Sequence, residues 1–399
     1  MLRNALAMLS IVVGCSGLAL AQEAAVDKTV SLPDVQATVV PDSLRREAFA
    51  ALDRGMAWLV AKQQPEGHWS NPDFPALTAL PVWAIVQHGA PYPDALERAT
   101  AYLVSTYNSE NGSFCREPRE QRKGGGLCNY NTALVMVALH ATGNPEYVPM
   151  IQKARTFIAS TQHFGDDMYR GGMGYDPDTG RPYADLSNSY LAYEAMRLTE
   201  NVEDLRRETG ESADLDWDAA TKFIERVQNR PESNDQPTVS DDPADYGGFA
   251  YKPDSSMAGA TTNADGRVRL RSYGSMTYAG LLSFIYASVD KSDPRVQSAY
   301  EWTLKNWTLE ENPGMELQGL FYYFHTLAKA LSAMDVDVLT LANGASANWR
   351  VELIQKLISL QKIDPDGTGY WVNTEGRWWE ADPTLVTSYS LLALLMALR

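Results

Sequence analysis

The chain has 399 residues, of which 45% are hydrophobic and 21% charged, a composition typical of a globular protein with a large core. Its 50 acidic residues outnumber its 34 basic residues and give a formal net charge of −16. A surface this acidic repels phosphate backbones and anionic membranes, which excludes nucleic acid as an expected partner.

The first 22 residues, MLRNALAMLSIVVGCSGLALAQ, have the organisation of an export signal. One arginine precedes an apolar run, and the run ends in a small-x-small pattern at Ala19 and Ala21. We therefore predict signal cleavage after Ala21 and a periplasmic or extracellular protein. The run is too short for a good spanning helix, so no transmembrane segment is expected in the mature chain. A lipobox-like alternative would instead leave acylated Cys15 as the N-terminus.

After a leader at 22–42, the sequence predicts a single domain, 43–399, built from six helix-turn-helix units. The first helix of each unit is predicted from an amphipathic pattern. These patterns end in AWLVAKQ, AYLVSTY, TFIASTQ, KFIERVQ, EWTLKNW and KLISLQ. A turn containing glycine and an aromatic residue follows in five units, as in GHW at 67–69 and GTGYW at 367–371. The fifth unit has NPGMELQGL in its place.

Two cysteines remain for the folded domain, Cys115 and Cys128, separated by a twelve-residue, glycine-rich and charged loop. In an oxidising compartment this arrangement predicts a disulfide, worth roughly 3 kcal/mol in the chain-entropy model. A zinc site is the alternative, but it needs further ligands that no nearby histidine supplies. We therefore predict no metal and no cofactor.

The second helices share the tightest register. One column holds mainly hydroxyl residues, and the positions six and seven residues later hold small and large apolar residues respectively. The first column is Thr78, Thr132, Ser189, Thr277, Phe324 and Thr387, the second Ala84, Ala138, Ala195, Ser283, Ala330 and Ala393, and the third Ile85, Leu139, Met196, Phe284, Leu331 and Leu394. Small residues allow close helix approach, and large ones fill the space beside them.

The second helices are apolar nearly all round, whereas the first helices keep a charged face. Six such pairs favour a closed arrangement in which the second helices form an inner ring and the first helices surround it. The predicted fold class is therefore all-α, an α/α toroid of the α6/α6 type. Two Pro/Ser/Asp/Gly-rich stretches in the fourth unit, 229–245 and 253–271, are predicted to be long surface loops.

The repeats resemble the prenyltransferase and squalene-oxidase repeat shared by triterpene cyclases and the beta chains of protein prenyltransferases. Gln63-x-x-x-Gly67-x-Trp69 is similar to the QW motif of squalene cyclases, and YGGFAYKP with SMTYAGLLSF resembles the Gly-Gly-Phe…Thr-Tyr repeat. The resemblance covers residues 45 to 399. It implies a toroid whose glutamines and aromatic residues brace neighbouring units, around a cavity that binds an isoprenoid or another apolar small molecule or lipid.

The resemblance and the repeat together direct attention to the residues at the start of the inner helices, where a central cavity would open. The ligand-binding candidates are Asn131, Asn188, Tyr273, Tyr322, Tyr323, His325, Trp378 and Trp379. The catalytic candidates are Asp185, Glu380 and Asp382, with helix capping as the alternative role for each carboxylate.

Cyclase chemistry needs an acid, and the Asp-x-Asp-Asp motif that supplies it in the cyclases is absent from this sequence. Asp382, with Glu380 nearby, occupies the place most like that acid segment, and two adjacent tryptophans could raise the pKa of a carboxyl there. FYYFHTLAKAL resembles a helix of the protein prenyltransferases in which His325 would bind zinc, but no cysteine occurs in a matching unit. A packing role is expected for this histidine.

Three functions remain open from the sequence. The first is a cavity that binds an isoprenoid or similar apolar ligand, with or without cyclising or isomerising it. The second is a non-catalytic periplasmic binding or scaffold module. The third is a carbohydrate-active toroid, which would require two suitably spaced carboxylates.

Overall fold

The computed structural model describes residues 40–89, 91–115, 126–176, 182–206, 212–263 and 266–399. The predicted export signal, Cys15 and the leader up to residue 39 lie outside the described residues. The described residues from Val40 onward belong to one compact unit.

Twelve helices alternate between an outer and an inner position in the described part of this unit. The outer helices are α1 (Asp42–Ala61), α3 (Pro93–Ser105), α5 (Val148–Ser160), α7 (Trp217–Val227), α9 (Pro294–Lys305) and α11 (Trp349–Leu360). The inner helices are α2 (Ala76–His88), α4 (Cys128–Ala141), α6 (Leu186–Leu198), α8 (Gly274–Tyr286), α10 (Leu320–Met334) and α12 (Pro383–Ala397).

The inner helices close into a ring. Each of them packs against the next one along the chain, from α2 through α12, and α12 packs back against α2. The outer helices lie against this ring, for example α3 on α2, α5 on α4 and α9 on α8. The α/α toroid predicted from the sequence is confirmed.

Burial explains why the inner helices tolerate so few polar residues. The small and the large columns of the repeat are both buried in all six units, so each helix meets neighbours on every side. Outer helices bury a single stripe, as α7 does with Ala220, Phe223, Ile224 and Val227. Position in the ring therefore follows directly from the width of the apolar face.

The hydroxyl residues of the first column fix the glycine-containing turns to the inner helices. In five units its side-chain oxygen accepts a hydrogen bond from the backbone N–H at the end of the glycine-containing turn, at 2.9–3.2 Å. The donor–acceptor pairs are Trp69–Thr78, Phe114–Thr132, Met173–Ser189, Phe249–Thr277 and Trp371–Thr387. The fifth unit, which lacks the standard turn, has Phe324 at this position, so no hydroxyl is needed there.

The turn glycines bring neighbouring units together. Gly171 has φ +94°, and a Cβ placed on it would overlap the backbone carbonyl of Ala219 in the next outer helix. The preceding glutamine links the same two elements, because Gln162 Nε2 donates to the carbonyls of Gly171 and Asp216, each at 3.0 Å. Only a residue without a side chain allows this approach at a positive φ.

Two shorter features complete the fold. Cys115 and Cys128 form the predicted disulfide, with Cα atoms 5.1 Å apart. Among the described residues, three antiparallel strand pairs occur between the helices: β1 (Ala260–Thr262) with β2 (Val268–Leu270), β3 (Val338–Thr340) with β4 (Ser346–Asn348), and β5 (Lys362–Ile363) with β6 (Gly369–Tyr370). The first hairpin lies within the stretch 253–271, so this insertion is partly a strand pair rather than a plain loop.

Candidate functional site

A cavity of about 440 Å³ opens at the N-terminal ends of the inner helices. Its wall is mainly apolar and aromatic. The aromatic residues are Phe74, Tyr130, Tyr175, Tyr251, Tyr273, Tyr322, Trp378, Trp379 and Tyr389, the aliphatic ones Ala76, Leu77, Leu80, Leu127, Met276 and Leu385, and the polar ones Asn131, Ser187, Ser275 and Glu380. All six inner helices or the segments that lead into them contribute to this wall.

The structure brings some of the predicted site residues together and separates others from them. The predicted residues that line the cavity are Asn131, Tyr273, Tyr322, Trp378, Trp379 and Glu380. The predicted residues that lie outside its lining are Asp185, Asn188, Tyr323, His325 and Asp382.

Glu380 supplies the single carboxylate among the described residues that line the cavity. One carboxylate oxygen, Oε1, accepts from the backbone N–H of Tyr322 at 2.8 Å, in the first turn of α10, and Oε2 accepts from Asn373 Nδ2 at 2.6 Å. Burial raises the pKa of Glu380 to about 7, while the bonds from Asn373 and from the α10 backbone act in the opposite direction. Near neutral pH this carboxyl therefore exchanges between its protonated and ionised forms.

Asp382 stands two residues further on and has a different role. It is the N-cap of α12, where its Oδ1 accepts from the backbone N–H of Thr384 at 2.8 Å, and it also accepts from the Ser70 hydroxyl. This is the capping alternative considered for it, and the cavity wall does not include it. Between the two neighbouring acids, Glu380 is the one that lines the cavity.

Two adjacent tryptophans form part of the cavity mouth in an unusual backbone conformation. Trp378 has φ +56° and Trp379 has φ +69°, and both side chains remain more than a third exposed. Trp379 packs edge-on against Phe74 at 5.1 Å, and Arg377 stacks over the ring of Trp378 at 4.4 Å. Left-handed conformations are costly for bulky residues, and such strain concentrates at functional sites.

Three tyrosines meet at the inner end of the cavity, and we call them the phenol cluster: Tyr130, Tyr322 and Tyr389. The hydroxyls of Tyr130 and Tyr389 lie 3.3 Å apart, and the rings of Tyr322 and Tyr389 pack edge-on at 5.8 Å. Burial raises the pKa of all three phenols, so they remain protonated and able to donate. Tyr389 also stacks on His325 at 5.2 Å.

Asp185 lies behind the cavity wall as the fully buried N-cap of α6. It accepts hydrogen bonds from the Ser187 hydroxyl at 2.8 Å and from Asn188 through both its backbone N–H, at 2.9 Å, and its Nδ2, at 2.7 Å. Burial raises the pKa of Asp185, and these donors oppose the rise. Asp185 and Asn188 thus position the end of α6, and only Ser187 of this group reaches the cavity.

Beyond the phenol cluster, buried side chains from different inner helices contact one another. His325 is buried among Tyr389 and Trp83, and burial together with nearby Lys329 lowers its pKa well below its ordinary value. Lys329 Nζ donates to Glu194 Oε2 at 2.8 Å, forming a fully buried ion pair. His325 is therefore neutral and buried, and it lies outside the cavity lining.

Tyr323, although adjacent to Tyr322, points away from the cavity. Its ring packs on Tyr278, and its hydroxyl donates to the backbone carbonyl of Thr308 at 2.8 Å. Consecutive helical residues differ by about 100° in direction, so both tyrosines cannot face the same space.

Sequence reasoning missed several residues that matter here. Tyr389 lies between Ser388 and Ser390 in α12, and Glu194 and Lys329 lie in the middle of apolar inner helices. A charged residue in the middle of an otherwise apolar helix is a signal that was present in the sequence, and it identifies Glu194 and Lys329. Tyr389 gave no comparable signal, because a tyrosine on an inner helix can also point away from the cavity, as Tyr323 does.

Among the described ranges, no group of three or more histidine, cysteine, aspartate or glutamate side chains is arranged to hold a metal ion. Within the same part of the chain, no helix is both long and apolar enough to cross a membrane.

Comparison with solved structures finds this architecture in a type II terpene cyclase, MstE from Scytonema. A variant of that enzyme in complex with merosterolic acid A, its product, gives a TM-score of 0.52 at 14% sequence identity, covering 89% of this chain and 98% of that chain. A variant in complex with geranylgeranyl dihydroxybenzoate, its substrate, gives a TM-score of 0.50 at 13% identity, covering 89% and 99%. The chain is an α/α toroid.

A further toroid match is an α-mannanase from Bacteroides thetaiotaomicron, with a TM-score of 0.49 at 11% identity over 88% of this chain and 95% of that chain. A scan of protein-family models and a search of curated proteins find no match. At these identities the likeness to MstE establishes the fold alone.

Proposed function

We propose that the cavity of this toroid binds a neutral, apolar small molecule of the isoprenoid class. The observation that carries the proposal is the lining, in which aromatic and aliphatic side chains surround a few polar groups. No lysine, arginine or histidine occurs among the described lining residues, and Arg377 lies beside the mouth, where it stacks over Trp378. The fold shared with MstE, whose substrate carries a geranylgeranyl chain, adds support.

The volume of the cavity limits the ligand. Small-molecule sites in proteins have volumes of about 300–1,000 Å³. The cavity of 440 Å³ lies within this range and opens at the helix N-termini. It therefore suits a small molecule, part of which can extend through the mouth.

A second candidate function, acid-catalysed isomerisation or cyclisation, is favoured by Glu380. The protonated carboxyl would add its proton to one carbon of an alkene, leaving a tertiary carbocation and the Glu380 carboxylate. Electron-rich rings such as Tyr273 and Trp379 lie in the same wall and stabilise positive charge. Loss of a proton from the cation to the carboxylate would form the new alkene and restore the acid.

The other two functions have less support. Hydrolysis of a glycosidic bond uses two carboxylates facing the same space, whereas the described lining contains Glu380 alone. A non-catalytic binding module shares the ligand-binding step and differs only in releasing its ligand unchanged. We also propose export of the protein, which the disulfide and the N-terminal apolar segment support.

Native mass spectrometry of the purified protein, incubated with farnesol, geranylgeraniol or squalene, tests the binding proposal. The Leu80→Trp variant would fill the cavity and should lose ligand retention, while Phe49→Trp, at an exposed position on α1, should retain it. Equal retention by the two variants, or no retained ligand in the parent protein, would contradict the proposal.

Product analysis by gas chromatography then tests catalysis. Glu380→Gln should abolish any new product, whereas Asp382→Asn should leave product formation unchanged because that residue lies outside the lining. Recovery of every ligand unchanged would favour the binding module over the enzyme.

A further inference from the structure

One polar atom in the cavity wall has its hydrogen-bonding capacity unused. Tyr322 Oη is buried and has no hydrogen-bond partner among the described residues, although its ring lines the cavity. A buried hydroxyl without a partner costs free energy, because it has given up its bonds to water. Such a group in a ligand space is explained if the ligand supplies the missing partner.

The two neighbouring phenols are also incompletely used. Tyr130 and Tyr389 share one long hydrogen bond of 3.3 Å, and a phenol can both donate and accept. Tyr322 packs against Tyr389 at 5.8 Å between ring centroids, and nearby Tyr130 contributes to the raised pKa of both. The phenol cluster therefore has hydrogen-bonding capacity left for a polar atom of a ligand.

Other polar groups in the wall are already committed to the protein. Asn131 accepts from the backbone N–H of Ala76 at 3.1 Å and donates to the carbonyl of Gly126 at 2.9 Å. The Ser187 hydroxyl donates to Asp185 at 2.8 Å. These two side chains hold the inner helices in register, whereas the buried hydroxyl of Tyr322 has no partner among the described residues.

We propose that the phenol cluster binds an oxygen atom of the ligand, so that the natural ligand is an isoprenoid alcohol or carbonyl compound held with its oxygen at the inner end of the cavity. The inference rests on the proposed function, since it names the chemical class of the ligand for the same cavity. The proposal predicts that an oxygenated isoprenoid binds more tightly than a pure hydrocarbon. It also predicts that an isoprenoid diphosphate binds less tightly than the alcohol, because the phenols could not balance its charge.

The test compares farnesol with farnesene, a hydrocarbon of the same carbon number, by measuring both dissociation constants calorimetrically. Farnesol should bind the parent protein about 10-fold more tightly, the difference expected for one hydrogen bond to a buried group. Tyr322→Phe removes only the hydroxyl and should reduce that ratio to about 1 by weakening farnesol binding, with farnesene unaffected.

Tyr323→Phe is the matched control, because it makes the same chemical change one residue away, outside the cavity. It should preserve the farnesol preference. Tyr322→Phe should also leave the melting temperature unchanged or higher, since its hydroxyl has no partner to lose. Farnesyl diphosphate should bind no better than farnesene.

The outcomes separate the two proposals. If farnesene binds the parent protein as tightly as farnesol, or if both variants keep the same preference, the phenol cluster does not recognise oxygen and the inference fails while the binding function stands. Tighter binding of farnesyl diphosphate than of farnesol would also overturn the inference. If neither farnesol nor farnesene binds, the proposed function fails and takes the inference with it.

Discussion

The raised pKa of Glu380 has a consequence for stability that can be measured without knowing the ligand. Its folded value of about 7 lies above its ordinary value of 4.5, because the carboxyl is buried. Between these two values the folded protein holds a proton that the unfolded chain has released. The stabilising contribution is therefore complete below about pH 4.5 and is lost as the pH rises through about 7.

The size of the effect follows from the interval between the two pKa values. Each pH unit over which the folded and unfolded states differ by one proton changes the free energy of unfolding by about 1.4 kcal/mol. Across the interval from 4.5 to about 7, the contribution of Glu380 should therefore decrease by about 3 kcal/mol.

Glu380→Gln removes the titrating carboxyl, so the difference between parent and variant gives its contribution to the free energy of unfolding. Parent and variant are unfolded with urea at intervals from pH 4 to pH 8, and the free energies of unfolding are subtracted at each pH. Subtraction is needed because Asp185, whose pKa is raised, and His325, whose pKa is lowered, also change stability in this range and with opposite signs. The new amide opposite Asn373 adds an offset that does not vary with pH.

The expected result is a parent-minus-variant difference that falls by about 3 kcal/mol between pH 4 and pH 8. Glu47→Gln, at an exposed site on α1, serves as the control for loss of charge alone and should give a nearly flat difference. A difference for Glu380→Gln that is also flat, to within about 1 kcal/mol, would refute the claim that the cavity carboxyl holds its proton near neutral pH.

Three further predictions concern the frame around the cavity. Gly171→Ala should lower the free energy of unfolding in urea by more than about 4 kcal/mol, because its Cβ would overlap the next unit. The control Gly143→Ala, also at positive φ but with open space around it, should cost about 1 kcal/mol. Similar losses in the two variants would contradict the role of Gly171 between units. Cys128→Ser should lower the free energy of unfolding by about 3 kcal/mol, and reductant should then have no additional effect. Lys329→Met should lower the free energy of unfolding by about 3–5 kcal/mol, because it leaves the Glu194 carboxylate buried without its cation. The double variant with Glu194→Leu should recover much of the lost melting temperature. A double variant as unstable as the single one would refute this account.

Of the candidate site, the sequence located the region but not the individual contacts. Residues at the start of the inner helices were expected to surround an opening, and Tyr322, Tyr273 and Glu380 do line it. Sequence position alone could not separate Glu380 from Asp382, because the direction of each carboxylate depends on the turn at 377–379 and on the first turn of α10, some 58 residues away.

The toroid could be predicted from the sequence because the packing requirements of its helices are local and recur in each unit. Close packing of inner helices requires a small residue beside a large one at the same register, and each glycine-containing turn requires a hydroxyl partner, so the same residue types recur six times or nearly so. Repetition makes such a requirement visible within a single chain. The disulfide was readable for a similar reason, since two cysteines allow one pairing.

What only the tertiary structure decided is what happens along the toroid axis, where six helices from distant parts of the chain meet. Whether that space is open or filled depends on which side chains reach it from opposite walls, as Lys329 and Glu194 do below the cavity and Tyr130 and Tyr389 do within it. Each of these contacts joins residues more than 100 positions apart. A sequence pattern records the face on which a residue lies, but the partner that faces it across the ring is set only when the ring closes.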